Sequence, residues 1–149
     1  MPRMLILLVV AFALAVPTLA SATVIAPIQV EVGEVHGDLS SEDALNDENK
    51  HFDRYAVTLS AGTMVRIWAS SDRLDTMLTV RGPGDEVFDN DDFAGTTDSA
   101  VQFTPSEDGE YILTVTSYNA GSLGPYLLGI TPMSPDTLGT AMTLGVDAQ

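Results

Sequence analysis

A chain of 149 residues with 21 acidic and six basic side chains carries a formal charge of −15 and contains no cysteine. Nucleic acid and anionic membrane surfaces are disfavoured partners, because both are bound through a basic face, and a disulfide framework is excluded. Stability must come from a packed core, from bound metal, or from both.

The chain opens with Arg3 and an unbroken apolar run, Met4–Leu14, followed by Pro17 and the small residues Ala20, Ser21 and Ala22. A positive charge, a short apolar stretch and a small-x-small site read as a secretory signal peptide over residues 1–22. The run falls short of the roughly 20 residues of a membrane span, so no stable membrane insertion is expected after cleavage. All the acidic residues lie beyond that site, against Lys50, Arg54, Arg66, Arg73 and Arg81. An exported protein, periplasmic or secreted, with one domain is expected. Its acidity suits either a solvated surface in a saline medium or discrete cation sites.

Residues 23–52 read as a polar leader. Within it "IQVEV" (28–32) is a candidate edge strand, and the acidic stretch 36–53 reads as a long loop or a single helical turn at Ser40–Leu45. From residue 53 to 131 the hydrophobic period is two. "RYAVTLS" (54–60) alternates Tyr55, Val57 and Leu59 with polar neighbours, "TMVRIWAS" (63–70) puts Val65, Ile67 and Ala69 on one face, and "DTMLTVR" (75–81) puts Leu78 and Val80 there. The pattern returns over 99–104, 110–117 and 125–131. Turn signals separate the runs: "SAG" at 60–62, "GPGD" at 82–85, "SEDGE" at 106–110 and "NAGSLG" at 119–124. The tail 132–149, with Pro132, Pro135, Gly139 and Gly145, lacks a clear period. Short strands at this spacing predict an all-β fold, an antiparallel two-sheet β-sandwich, with a barrel as the runner-up.

The order of pieces resembles the bacterial pre-peptidase C-terminal domain family. The elements that carry the likeness are Asp53 with Tyr55, Asp75 with Leu78, Pro83 with Gly84, Asn90–Asp92, Gly109 with Tyr111, Val115 with Ser117, and Gly124 with Tyr126. The likeness spans about residues 33–131. It implies a jelly-roll-like sandwich of the kind appended to secreted proteases and other hydrolases, often removed during maturation. Some such domains bind calcium, and collagen-binding modules are structural cousins. A free-standing, single-domain member is the expectation for this chain.

"DNDDFAGTTD" (89–98) puts four aspartates and an asparagine into ten positions. Calcium takes six to eight oxygen ligands, which clustered carboxylates and loop carbonyls supply, so Asp75, Asp89, Asn90, Asp91, Asp92 and Asp98 form a candidate calcium set. The alternative is that these residues cap backbone amides in a turn and face water. An EF-hand is excluded, because Phe93, Ala94 and Ala100 stand where that loop needs an oxygen ligand, a glycine and the bidentate glutamate. Asp47 and Asp53 are weaker metal candidates in a stretch that reads as a solvated loop.

Trp68 alternates with Met64 and Arg66 on the face opposite Val65 and Ile67. Trp68 and Arg66 are candidates for a sugar- or peptide-binding platform; packing beneath the leader loop is the competing reading. Tyr111 after "EDG" suits a tyrosine corner. No "H-E-x-x-H" or "G-x-S-x-G" occurs, and His36 and His51 read as exposed loop residues. A glycosidase pair needs two carboxyls roughly 5–10 Å apart across a sugar cleft, for which a small sandwich has little room. These observations predict a non-catalytic binding or accessory module for an extracellular polymer or secreted protein, with calcium as the only cofactor in question. A chaperone-like or inhibitory accessory of a separate hydrolase, and a small carboxylate hydrolase, are the alternatives.

Overall fold

The computed structural model describes residues 26–133; the expected signal peptide and the tail beyond Met133 lie outside the described residues. The elements are β1 (Ile28–Gln29), β2 (Gly33–Leu39), β3 (Phe52–Leu59), β4 (Val65–Ser70), β5 (Thr76–Arg81), β6 (Val87–Asn90), β7 (Ser99–Phe103), β8 (Gly109–Ser117) and β9 (Gly124–Pro132). They form two sheets, one ordered β1-β3-β8-β5-β6 and the other β2-β9-β4-β7. Every pairing is antiparallel apart from β1, which runs parallel to β3 with Ile28 opposite Tyr55. The fold is an all-β sandwich, as the period of two predicts.

Alternation decides the core. Tyr55, Val57, Leu78, Val80, Tyr111, Leu113 and Val115 of the first sheet meet Val65, Ile67, Phe103, Tyr126, Leu128 and Ile130 of the second, all buried. Burying each such side chain stabilises the fold by about 1.5–3 kcal/mol. A buried hydroxyl knot adds polar cross-links where β4, β5 and β7 meet: Thr76 Oγ1 donates to the Ala69 carbonyl at 2.9 Å and accepts from the Ser99 amide at 3.0 Å.

Two strands depart from expectation. Residues 33–39, half of which fall in the stretch expected as a loop, form β2 and pair along their whole length with β9. Their inward positions are Gly33, Val35, Gly37 and Leu39, so two glycines mask the apolar alternation. Gly37 is required there, because a Cβ would stand 2.2–2.6 Å from two ring carbons and the hydroxyl oxygen of its cross-strand partner Tyr126. The side chain that a branched residue would have supplied comes instead from the neighbouring strand. The second departure is β6, which takes Asp89 and Asn90 out of the expected turn and pairs them with Thr79 and Leu78. Residues 40–45 form turns and a bridge rather than the alternative helical turn, with Asp43 Oδ2 capping the Ser40 amide at 2.6 Å.

The topology sorts the connections. Segments 40–51, 71–75, 91–98 and 118–123 emerge at one end of the sandwich, and 30–32, 60–64, 82–86 and 104–108 at the other. At the second end the corner expected of Tyr111 is present: its hydroxyl donates to the Glu107 carbonyl at 3.2 Å and lies 3.1 Å from Glu86 Oε2. The long, acidic connections 40–51 and 91–98 therefore share the first end but lie at opposite edges of the sandwich, one joining β2 to β3 and the other β6 to β7.

Candidate functional site

β4 is an inner strand of its sheet, between β9 and β7, so its outward residues Arg66, Trp68 and Ser70 form a row across the middle of the outer face. Trp68 is flanked by Gly129 on β9 and Ala100 on β7. A Cβ on Gly129 would lie 2.1–2.4 Å from Cε2, Nε1 and Cζ2 of Trp68 at once, so the indole lies across the glycine. The cover over this row is not the leader loop. It is the hairpin after β6, whose Phe93, Ala94, Thr96 and Asp98 wall a shallow groove floored by Trp68, Ala69 and Ala100.

The hairpin is built by local chemistry. The Thr96 amide donates to the Phe93 carbonyl at 3.1 Å, with Ala94 at φ 54° and Gly95 at φ 78°, the left-handed pair of a type I′ turn. Ala94 holds that conformation at a cost of roughly 1–2 kcal/mol. The Phe93 amide closes the loop on the Asp98 carbonyl at 2.7 Å, and the Thr96 side chain donates to the Phe93 carbonyl at 2.8 Å. The turn brings Phe93, still 38% exposed, over Arg66, whose Cζ is 4.5 Å from the ring centroid. Arg66 Nε is shielded from solvent and has no hydrogen-bond partner, and the guanidinium makes no ion pair among the described residues.

The sequence-predicted carboxylates divide. Asp98 Oδ1 accepts from the Ser71 amide at 3.2 Å, and Asn90 Oδ1 from the Ala100 amide of edge strand β7 at 3.2 Å, so Asn90 fastens one sheet to the other. Asp89 points outward from β6 and is exposed. Asp75, Asp91 and Asp92 draw near one another: burial raises the Asp75 carboxyl above its usual range, and the charges of Asp92 and Asp91 raise it further. Asp75 Oδ1 is shielded and lacks a partner. Among the described residues no three acidic or histidine side chains stand close enough to hold a metal ion, so the set as it stands is not a closed calcium cage.

The second pair also separates. Asp47 is exposed in a turn organised by Asn46, whose Oδ1 accepts from the Glu48 and Lys50 amides at 2.9 and 3.0 Å. Asp53 is half-buried and accepts from the Tyr126 hydroxyl at 2.5 Å, and that hydroxyl accepts in turn from Tyr55 at 2.7 Å. Burial pushes the Asp53 carboxyl up, the Tyr126 bond opposes this, and Asp43 and Asp38 add to the rise. Burial, then the bonds to Asp53 and Tyr55, raises the Tyr126 hydroxyl far above its ordinary value. This hydrogen-bonded chain is a polar link between the sheets, and Asp53 at its outer end lines an open pocket with Glu42, Asp43 and Phe52. His36 is exposed but stands on β2, and His51 is half-buried, its Nδ1 donating to the Asp43 carbonyl at 2.9 Å.

Sequence reasoning placed Trp68 and Arg66 but passed over Phe93, which stood out only as a residue unfit for an EF-hand. The available signal was an isolated aromatic before Ala94–Gly95 inside an acidic run.

Comparison with known proteins agrees with this architecture. Residues 51–117 match the profile of the bacterial pre-peptidase C-terminal domain. Among solved structures, the pre-peptidase C-terminal domain of collagenase from Bacillus anthracis superposes with a TM-score of 0.55 at 16% identity, over 71% of this chain and 95% of that one. The periplasmic inhibitors of g-type lysozyme, PliG, from Aeromonas hydrophila and Salmonella Typhimurium both superpose with a TM-score of 0.51, at 16% and 18% identity. Each covers 72% of this chain and 100% of its own. No curated protein matches the sequence. Among the described residues no helix is long and apolar enough to cross a membrane. The segment from His51 to Ser117 is thus similar to the bacterial pre-peptidase C-terminal domain family, and it lies inside a β-sandwich shared with a collagenase domain of that kind.

Proposed function

We propose that this domain is an exported binding module that holds a partner outside the cytoplasm through the outer face of the β2-β9-β4-β7 sheet. The observation that carries the reading is the row formed by Trp68 across Gly129 and Arg66 beneath Phe93, an aromatic and cationic strip on the face of an otherwise acidic molecule. Buried aromatics and arginine contribute most of the binding energy at interfaces. Among the described residues no cluster of three acidic or histidine side chains that could hold a metal ion competes for that face. The apolar leader Met4–Leu14 supports export. The test is retention on collagen, chitin, cellulose and purified secreted hydrolases. Trp68→Ala and Phe93→Ala should each lower retention on the bound partner at least tenfold; retention unchanged in both variants would refute the reading.

A second reading makes the partner a separately encoded hydrolase that the domain escorts or inhibits. Its support is that proteins sharing this fold include two inhibitors of g-type lysozyme. It predicts a stoichiometric change in the activity of a co-secreted hydrolase, and no effect on any of them would end it. Calcium is a further proposal, as a stabilising ligand drawn in by Asp75, Asp91 and Asp92, supported by the unpartnered Asp75 Oδ1. Binding would raise stability by about 2.7 kcal/mol at a hundredfold excess over Kd, and identical melting curves in EDTA and in calcium would exclude it.

A further inference from the structure

The groove beside Trp68 has a chemical bias that narrows its occupant. Its polar wall groups are largely engaged: Thr96 Oγ1 donates to the Phe93 carbonyl and accepts from the Asp98 amide, Asp98 Oδ1 holds the Ser71 amide, and Ser99 Oγ meets Thr76 Oγ1 at 3.0 Å inside the sandwich. A sugar with several hydroxyls would therefore find few partners. What remains is an apolar lining of Trp68, Phe93, Ala94 and Ala100 with Arg66 at one end and Ser70 at the other. Arg66 lies over the Phe93 ring, keeps a shielded and unpartnered Nε, and forms no ion pair among the described residues although the chain has 21 acidic side chains.

We infer that the groove receives a carboxylate side chain, a glutamate or aspartate, from a partner protein: the stem lies along Trp68 and Ala100, and the head group takes the guanidinium of Arg66. A planar guanidinium presents paired donors to a carboxylate, which a point charge such as lysine does not. The inference rests on the Trp68 face being the docking surface. The chain's overall negative charge does not forbid it. At physiological salt, screening acts over about 8 Å, so the local group governs the contact. Asp98 also lines the groove, and its engagement with the Ser71 amide keeps part of its charge occupied.

Trp68 is the sole tryptophan, so intrinsic fluorescence reports directly on this groove. The full protein, titrated at physiological salt with the end-capped peptide Ala-Ala-Glu-Ala-Ala, should show a saturable change in Trp68 emission. The Gln twin of that peptide should bind at least tenfold more weakly. Arg66→Met should abolish the response and Arg66→Lys should recover only part of it, with melting curves close to wild type. Equal responses to the Glu and Gln peptides, no saturable response, or a response confined to a uronate oligosaccharide would each overturn the inference. If Arg66→Met fails to fold, the Glu/Gln comparison on the wild-type protein still decides. If partner retention needs Trp68 and Phe93 but is unmoved by Arg66→Met, the docking face stands and the carboxylate assignment falls.

Discussion

The two ends of the sandwich use their acids differently. At the short-turn end, Asp108 Oδ1 caps the Ala61 amide at 2.7 Å, and Glu86 stands beside the Tyr111 hydroxyl, so carboxylates there close turns. At the other end, Asp43 and Asp98 cap backbone amides, but Asp75 keeps an unpartnered oxygen and Asp47 and Asp92 stay exposed. Tyr126 and Tyr111 make the same point from inside. Each crosses a glycine, Gly37 or Gly82, and each ends in a hydroxyl bond. Only Tyr126 bonds a carboxylate that burial has pushed up. One end is a closed corner, whereas the other carries uncompensated charge near the proposed docking groove.

Glycine substitution should test this contrast most strongly. Gly37→Ala drives a Cβ against two ring carbons and the hydroxyl oxygen of Tyr126 in a paired strand, and should cost about 1–3 kcal/mol or more in urea unfolding. Gly82→Ala meets one Tyr111 ring atom at 2.4 Å and its other neighbours at 3.0 Å, and should cost less. Equal losses would mean that the two aromatic contacts are equally tight.

Removing the hydroxyls should come next. Tyr126→Phe takes the donor from a half-buried carboxylate and should cost about 1.5–3 kcal/mol at neutral pH, whereas Tyr111→Phe should cost about 1 kcal/mol. The Tyr126→Phe penalty should shrink in acid, as Asp53 takes up a proton.

The same carboxyl sets a pH dependence. Asp53 and Asp75 bind protons more tightly folded than unfolded, where the ordinary value is 3.8. The folded state binds the extra proton, so stability rises as pH falls from above the raised values towards 3.8 and falls again towards neutrality. Melting temperatures measured across that window should therefore increase on mild acidification. Asp53→Asn should flatten the slope, and a melting temperature that fell steadily from neutral pH would contradict the sign. Asp75→Asn should have the smallest effect, a gain within about 0.5 kcal/mol at neutral pH without added cation, because it removes a charge that burial and the nearby Asp92 and Asp91 disfavour.

Much of the architecture was legible from residue patterns. Strands β3, β4, β5, β7, β8 and β9 fall within two residues of the alternating runs, since one buried face imposes a period of two on the chain. Strand β2 was hidden because Tyr126 fills the space that a side chain at Gly37 would occupy. β6 was hidden because its outward positions are Val87 and Asp89 and its inward ones Phe88 and Asn90, which mixes polar and apolar on both faces. The carboxylate cluster was legible as a cluster but not in its roles: capping by Asn90 and Asp98 depends on amides of Ala100 and Ser71, which folding brings from other segments.

What the amino-acid order determined by itself is the layered all-β body, its inward residues and the outward placement of Trp68 and Arg66, because strand periodicity is a property of neighbours along the chain. Tertiary structure alone decided that the 91–98 hairpin turns back over β4 and sets Phe93 on Arg66. It also decided that Asp53 meets Tyr126. Those contacts join residues distant in sequence, and their energy depends on burial and distance, which no local pattern encodes.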